Sequence, residues 1–254
     1  MDAGTEFEDH RGKLRVAYGT GVIANVASAR GQKTGKALAE MEWVVTDPRC
    51  TRDIVFIDMP AAFMEALPPH MRERARNIEF KHLDRARDCV VLLDDTAMTM
   101  NSRDSATKEA KAWSRMAGGI SHLGITLILT TQSVGGIDVS LMRYTQLAPC
   151  IGRMSKLPLR MDMAARPQWR DVLEESQWAM PPEPARGYSY SAEDELLCRS
   201  PFRDWMNPKV VGEQTADVLT RPLRYHTEED LHRLLYREDM PEDWFEDAAP
   251  EATT

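Results

Sequence analysis

Short apolar runs, each ending in polar or acidic residues and each parted from the next by helical spacing, constrain this chain most. GVIANVAS (21–28), DIVFID (53–58), CVVLLDD (89–95) and ITLILTTQ (125–132) are four of them, and PCIGRMS (149–155) is a fifth. Continuous apolar runs of this length are what strands covered on both faces require. Between them KALAEMEWVV has helical spacing and is ended by Asp47-Pro48. A long helical stretch after residue 58 is interrupted by Pro68-Pro69, and DSATKEAKAWSRMAGGISH (104–122) reads as a helix capped by Asp104 or Ser105. Buried strands alternating with helices imply an α/β domain with a mostly parallel sheet flanked by helices.

Ligands of such sheets bind outside the carboxyl ends of the strands. Those ends carry a glycine-basic loop, the pair Asp94-Asp95, and Gln132. Against the phosphate-loop pattern G-x-x-x-x-G-K-[ST] the loop has two frames. Arg30-Gly31-Gln32-Lys33-Thr34-Gly35-Lys36-Ala37 keeps the glycine-lysine pair, but Arg30 replaces the first glycine and Ala37 the hydroxyl. The frame three residues earlier, Ala27 to Lys33-Thr34, recovers lysine and hydroxyl and loses both glycines. The Gly35-Lys36 frame is the expected one. Its glycine admits a close approach of backbone to phosphate, KALAEMEW continues as a helix whose N-terminus faces the anion, and Gly35 inside a helix would cost about 1 kcal/mol.

A triphosphatase of this kind needs a lysine and amides on the phosphates, a strand-end carboxylate for Mg²⁺, and a group to position water. ATP and Mg²⁺ are therefore the expected ligands. Asp94 is expected to contact the metal through water, Asp95 to orient the attacking water, and Gln132 to sense the γ-phosphate. Thr34 offers the metal a displaced hydroxyl if the loop register is altered.

The 254 residues suit one large domain, with an N-terminal segment (1–18), an ATPase core (19–160), a C-terminal extension (161–237) and an acidic tail (238–254). A hairpin is expected around Glu193-Asp194, and TEEDLHRLLYRE, from Thr227, reads as a capped helix. A net charge of −8 argues against coating by nucleic acid, yet leaves room for local basic surface at 72–87 and 153–170. Cys50, Cys89, Cys150 and Cys198 form no C-x-x-C pair and read as free thiols of a reducing cytoplasm. No apolar run is long enough to span a bilayer.

VVLLDDTAM (90–98) and SHLGITLILTTQSVGGIDVSLMRYTQ (121–146) resemble the FtsK–HerA superfamily of DNA-translocating ATPases. The likeness is nearest to the viral genome-packaging branch. A double aspartate ending the Walker B strand is similar to that branch, as is a strand ending in Thr-Gln followed by a short loop and an arginine, here Arg143. The resemblance covers roughly residues 20–155. It implies a RecA-like P-loop core and a homo-oligomeric ring, a hexamer, that threads double-stranded DNA. It also implies an arginine finger in trans, with Arg143 and Arg115 the candidates, and capsid or portal-vertex proteins as partners. The setting it implies is the host cytoplasm or the virion. Arg30 and Ala37 depart from the pattern and keep two alternatives open: a non-hydrolysing nucleotide-binding or scaffold subunit, and a cellular or conjugative translocase.

Overall fold

Eight strands form one sheet in the order β3-β2-β4-β5-β1-β6-β7-β8. The computed structural model describes residues 10–28, 33–94, 118–137, 147–181, 188–199 and 205. The strands are β1 (Gly21–Val26), β2 (Asp53–Ile57), β3 (Ala75–Ile78), β4 (Cys89–Leu93), β5 (Thr126–Thr131), β6 (Leu147–Ile151), β7 (Tyr188–Ser191) and β8 (Leu196–Arg199). All pairings among β1–β6 are parallel, and only the β7–β8 hairpin and its junction with β6 are antiparallel. This is the mostly parallel α/β sheet with flanking helices that the apolar runs call for. The hairpin continues the same sheet beyond β6.

Alternation along each strand builds two cores. Ile23, Ile54, Phe56, Val90, Leu92 and Ile128 face one side. There α1 (His10–Tyr18), α2 (Lys33–Thr46), α3 (Ala61–Ala66) and α4 (Pro69–Arg72) cover them with Val16, Leu38, Met41, Val44, Phe63 and Met71. Val22, Val55, Val91, Leu93, Leu127 and Leu129 face the other side. Leu159 and Leu173, from α5 (Lys156–Ala165) and α6 (Arg170–Ala179), pack there. All four cysteines are buried free thiols. No described helix is long and apolar enough to cross a membrane.

The stretch after residue 58 departs from the expected long helix. It holds two short helices, then β3 and a 3-10 turn at Phe80–Arg85. β3 escapes sequence reasoning because Ala-Arg-Asn-Ile lacks an apolar run, as an edge strand can. The basic residues of 72–87 accordingly do not share one helix face. The 104–122 helix is described only from Gly118, and the Thr227 helix and acidic tail lie outside the described residues.

At the amino ends of the strands one buried guanidinium joins four elements. Arg52 lies within hydrogen-bonding distance of the carbonyls of Val16 (3.1 Å), Ala17 (3.3 Å), Gly19 (3.0 Å) and Cys89 (2.8 Å). It also donates to the Thr126 hydroxyl at 2.9 Å and to the Gly124 carbonyl. Gly124 has φ +69°, and a Cβ there would stand 3.2 Å from Asp88 Cα. Burial lowers the Arg52 pKa, with Asp88 the leading opposing charge. Truncation strips several buried carbonyls of their donor at once. Arg52→Ala is expected to destabilise the fold by about 3 kcal/mol, since each unsatisfied buried group costs about 1–3 kcal/mol. Urea unfolding measures it, and a change below about 1 kcal/mol would show that water replaces the guanidinium.

Candidate nucleotide-binding site

Because β1, β4 and β5 are parallel and adjacent in the order β4-β5-β1, their carboxyl ends form one edge. Register then decides which side chains meet. Ile23, Ile128 and Leu92 form an apolar row across the three strands. Two residues further on, Asn25 pairs with Thr130, and Asp94 is one step beyond the Leu93–Leu129 pair. The next row on the same face is therefore polar: Asn25, Thr130, Asp94.

Helix α2 closes over this row. Its apolar stripe of Ala37, Leu38, Met41 and Val44 packs on the sheet and so fixes its rotation. Thr34 lies one turn before Leu38 on that face, in the first turn, which brings its side chain over the strand ends. Thr34 Oγ1 donates to Asp94 Oδ1 at 2.8 Å, and Thr130 Oγ1 donates to the same oxygen. Beside them Lys36, only 6% exposed, donates from Nζ to Glu40 Oε1 at 2.6 Å. Asn25 Nδ2 approaches Glu40 Oε2 at 3.4 Å, while the buried Asn25 Oδ1 has no hydrogen-bond partner among the described residues.

In the loop the structure differs from the expectation in the place of Gly35 and Lys36. The described helix α2 already includes Lys33, so Gly35 and Lys36 lie within it and not before it. Ala37 is fully buried in the apolar core, where a hydroxyl would face no metal. Lys36 points under the helix onto Glu40. The roughly 1 kcal/mol cost of a helical glycine is outweighed by the packing of the stripe that follows. Thr34 is the residue of this turn whose side chain reaches the strand-end carboxylate.

The chain leaving β1 stays on that edge too. Ala27 N–H donates to Thr131 O at 3.1 Å, and Ser28 N–H to Arg153 O at 3.2 Å. Gln132 follows β5 directly and is exposed at the same edge. Arg30, Gly31, Gln32, Asp95, Arg115 and Arg143 lie outside the described residues. Thr130, Asn25 and Glu40 are site residues that motif reading missed. Their signal is a lone polar residue at matching positions in GVIANVAS and ITLILTTQ, and Lys36-Glu40 at i, i+4.

No family model matches the chain, and no curated protein matches it. Solved structures do. EccC (ATPases 2 and 3) of Thermomonospora curvata aligns with a TM-score of 0.51 at 9% identity, over 82% of this chain and 42% of the EccC chain. B204, the DNA-packaging ATPase from Sulfolobus turreted icosahedral virus, aligns with a TM-score of 0.49 at 11% identity, over 72% of this chain and 98% of B204. EssC (ATPases 2 and 3) from Geobacillus thermodenitrificans gives 0.48 at 11% identity, over 87% and 45% of the two chains. At such identities the likeness is one of fold, and it rests on the EccC alignment. The chain spans less than half of the EccC and EssC chains it matches.

Proposed function

We propose, for a chain that has the fold of the FtsK–HerA ATPases, that it hydrolyses ATP at this edge to move double-stranded DNA, a viral genome into its capsid. The observation that carries the reading is the 2.8 Å bond from Thr34 Oγ1 to Asp94 Oδ1. It joins a Lys-Thr pair opening a helix to a carboxylate two strands away, with β5 between them. One carboxylate flanked by hydroxyls is a hard-oxygen set of the kind Mg²⁺ takes alongside phosphate oxygens. The N-terminal end of α2 adds backbone amides and a favourable dipole for an anion. Lys33, Thr34 and Asp94 would thus hold ATP and its Mg²⁺, and the metal supplies neutralisation of phosphate charge. Thr130 orients Asp94 from below, Gln132 faces the γ-phosphate end, and Asp95 orients water.

The resemblance of VVLLDDTAM and of the Thr-Gln strand end supports the DNA cargo. By the same support copies of the chain assemble as a ring, a hexamer, with Arg143 or Arg115 entering a neighbouring copy's site. Capsid or portal-vertex proteins receive it, in the host cytoplasm or at the virion. Purified protein is expected to turn over ATP, and double-stranded DNA to raise the rate several-fold, roughly 3–10 times. A rate indifferent to DNA would overturn the translocase. Nucleotide binding without turnover would establish the scaffold reading instead. Ala27 and Gln32, where the Lys33-Thr34 frame wants glycines, favour that second reading.

A further inference from the structure

A buried carboxylate also stands behind the site, on the other face of the sheet from Asp94. Asp162 of α5 is 3% exposed and is gripped by the segment that follows β5. Val134 N–H donates to Oδ2 at 2.8 Å, Gly135 N–H to Oδ1 at 3.2 Å, and Ser133 Oγ to Oδ1. Gly135 N–H also reaches Ser133 Oγ at 3.0 Å. The approach is close enough that a Cβ on Gly135 would stand 3.1 Å from that hydroxyl and 3.3 Å from Asp162 Oδ1. Gln132 is the residue between β5 and this clamp. Its other side is tied as well, since Thr131 Oγ1 donates to Ser133 O at 3.0 Å. Helix α5 is itself set against the chain leaving β1, with Ser155 N–H donating to Ser28 Oγ at 2.7 Å just before the helix begins. One helix therefore holds both the loop after β1 and the segment after β5.

We propose that Asp162 is a positioning residue of the site: through Ser133, Val134 and Gly135 its carboxylate fixes the segment that presents Gln132. The inference rests on the ATPase reading. A carboxylate is suited to the task because its two oxygens accept several donors, and such charge-assisted bonds are about twice as strong as neutral ones. Asp162→Asn keeps the shape, but its amide NH₂ faces donors. Ser133→Ala removes one donor and leaves both backbone bonds, so it stays informative if the first variant folds poorly.

Amide exchange without nucleotide and steady-state ATP turnover together test this. In Asp162→Asn, exchange at residues 133–137 should rise on the order of tenfold while β5 amides keep their protection. Turnover should fall on the order of tenfold at an unchanged KM for ATP, with Ser133→Ala showing a smaller loss of the same kind. In a Gln132→Ala background neither substitution should slow turnover further. If Gln132→Ala slows the enzyme but Asp162→Asn leaves kcat unchanged, or if their losses multiply, the positioning role is overturned and the ATPase reading stands. Unchanged exchange at 133–137 also overturns it. A parent protein without turnover removes both readings together.

Discussion

Asp94→Asn is expected to leave the protein folded and its ATP turnover reduced by on the order of 10³-fold or more. The amide still accepts from Thr34 and Thr130, so the polar row persists and the thermal midpoint should move little. The negative charge that would share a divalent cation with the phosphates is gone, and with it the neutralisation on which phosphoryl transfer depends. Turnover and Mg²⁺ titrations on the folded variant measure the effect. Parent-like hydrolysis by Asp94→Asn would reduce the Thr34–Asp94 bond to a structural tie.

The two lysines of α2 should separate cleanly. Lys33→Ala removes the cation next to Thr34 in the chain, and its expected cost is on the order of 10²-fold in turnover with little change in stability, as for loss of one transition-state donor. Lys36→Ala does the opposite. It leaves the buried Glu40 carboxylate without its 2.6 Å partner, and breaking a buried pair from one side costs about 3–5 kcal/mol. That should appear as a fall in thermal midpoint of several degrees or more, while the folded fraction retains most of its turnover. Adding Glu40→Gln to Lys36→Ala should recover part of the stability. A stable Lys36→Ala protein without turnover, beside a parent-like Lys33→Ala, would restore the Gly35-Lys36 frame.

The central strands were legible because burial on both faces leaves an unbroken apolar run, as in CVVLL and TLILTT. β3 was not, because an edge strand with Arg76 and Asn77 carries no such run. The helical placement of Gly35 and Lys36 was not legible for a different reason. A local preference, glycine before lysine at a helix start, was weighed without the rotation of the helix on the sheet. Ala37, Leu38, Met41 and Val44 set that rotation and are plain in the sequence, but only the sheet beneath them says where Thr34 lands. The strand-end positions of Asp94 and Gln132 were legible because the apolar runs CVVLL and TLILTT end just before them. Asp162 was not found, as nothing in KLPLRMDMAA ties it to a turn some 27 residues earlier.

The sheet's order also dictates when this protein can come into being on the ribosome. β1 precedes the other seven strands in the chain, yet its two neighbours are β5 and β6, so Gly21 meets Thr126 and Val22 meets Leu147. Until β5 has left the exit tunnel this central strand has both hydrogen-bonding edges bare, and until β6 follows it still has one. Pairings this distant in sequence form slowly and leave apolar strands open to wrong partners meanwhile. β2, β3 and β4 can pair among themselves first, as a parallel half-sheet with an unfilled side. The polar strand-end row is then completed late, when β5 inserts between β4 and β1. Nascent chains released before β6 should accordingly be captured by chaperones, and those released after β8 should not.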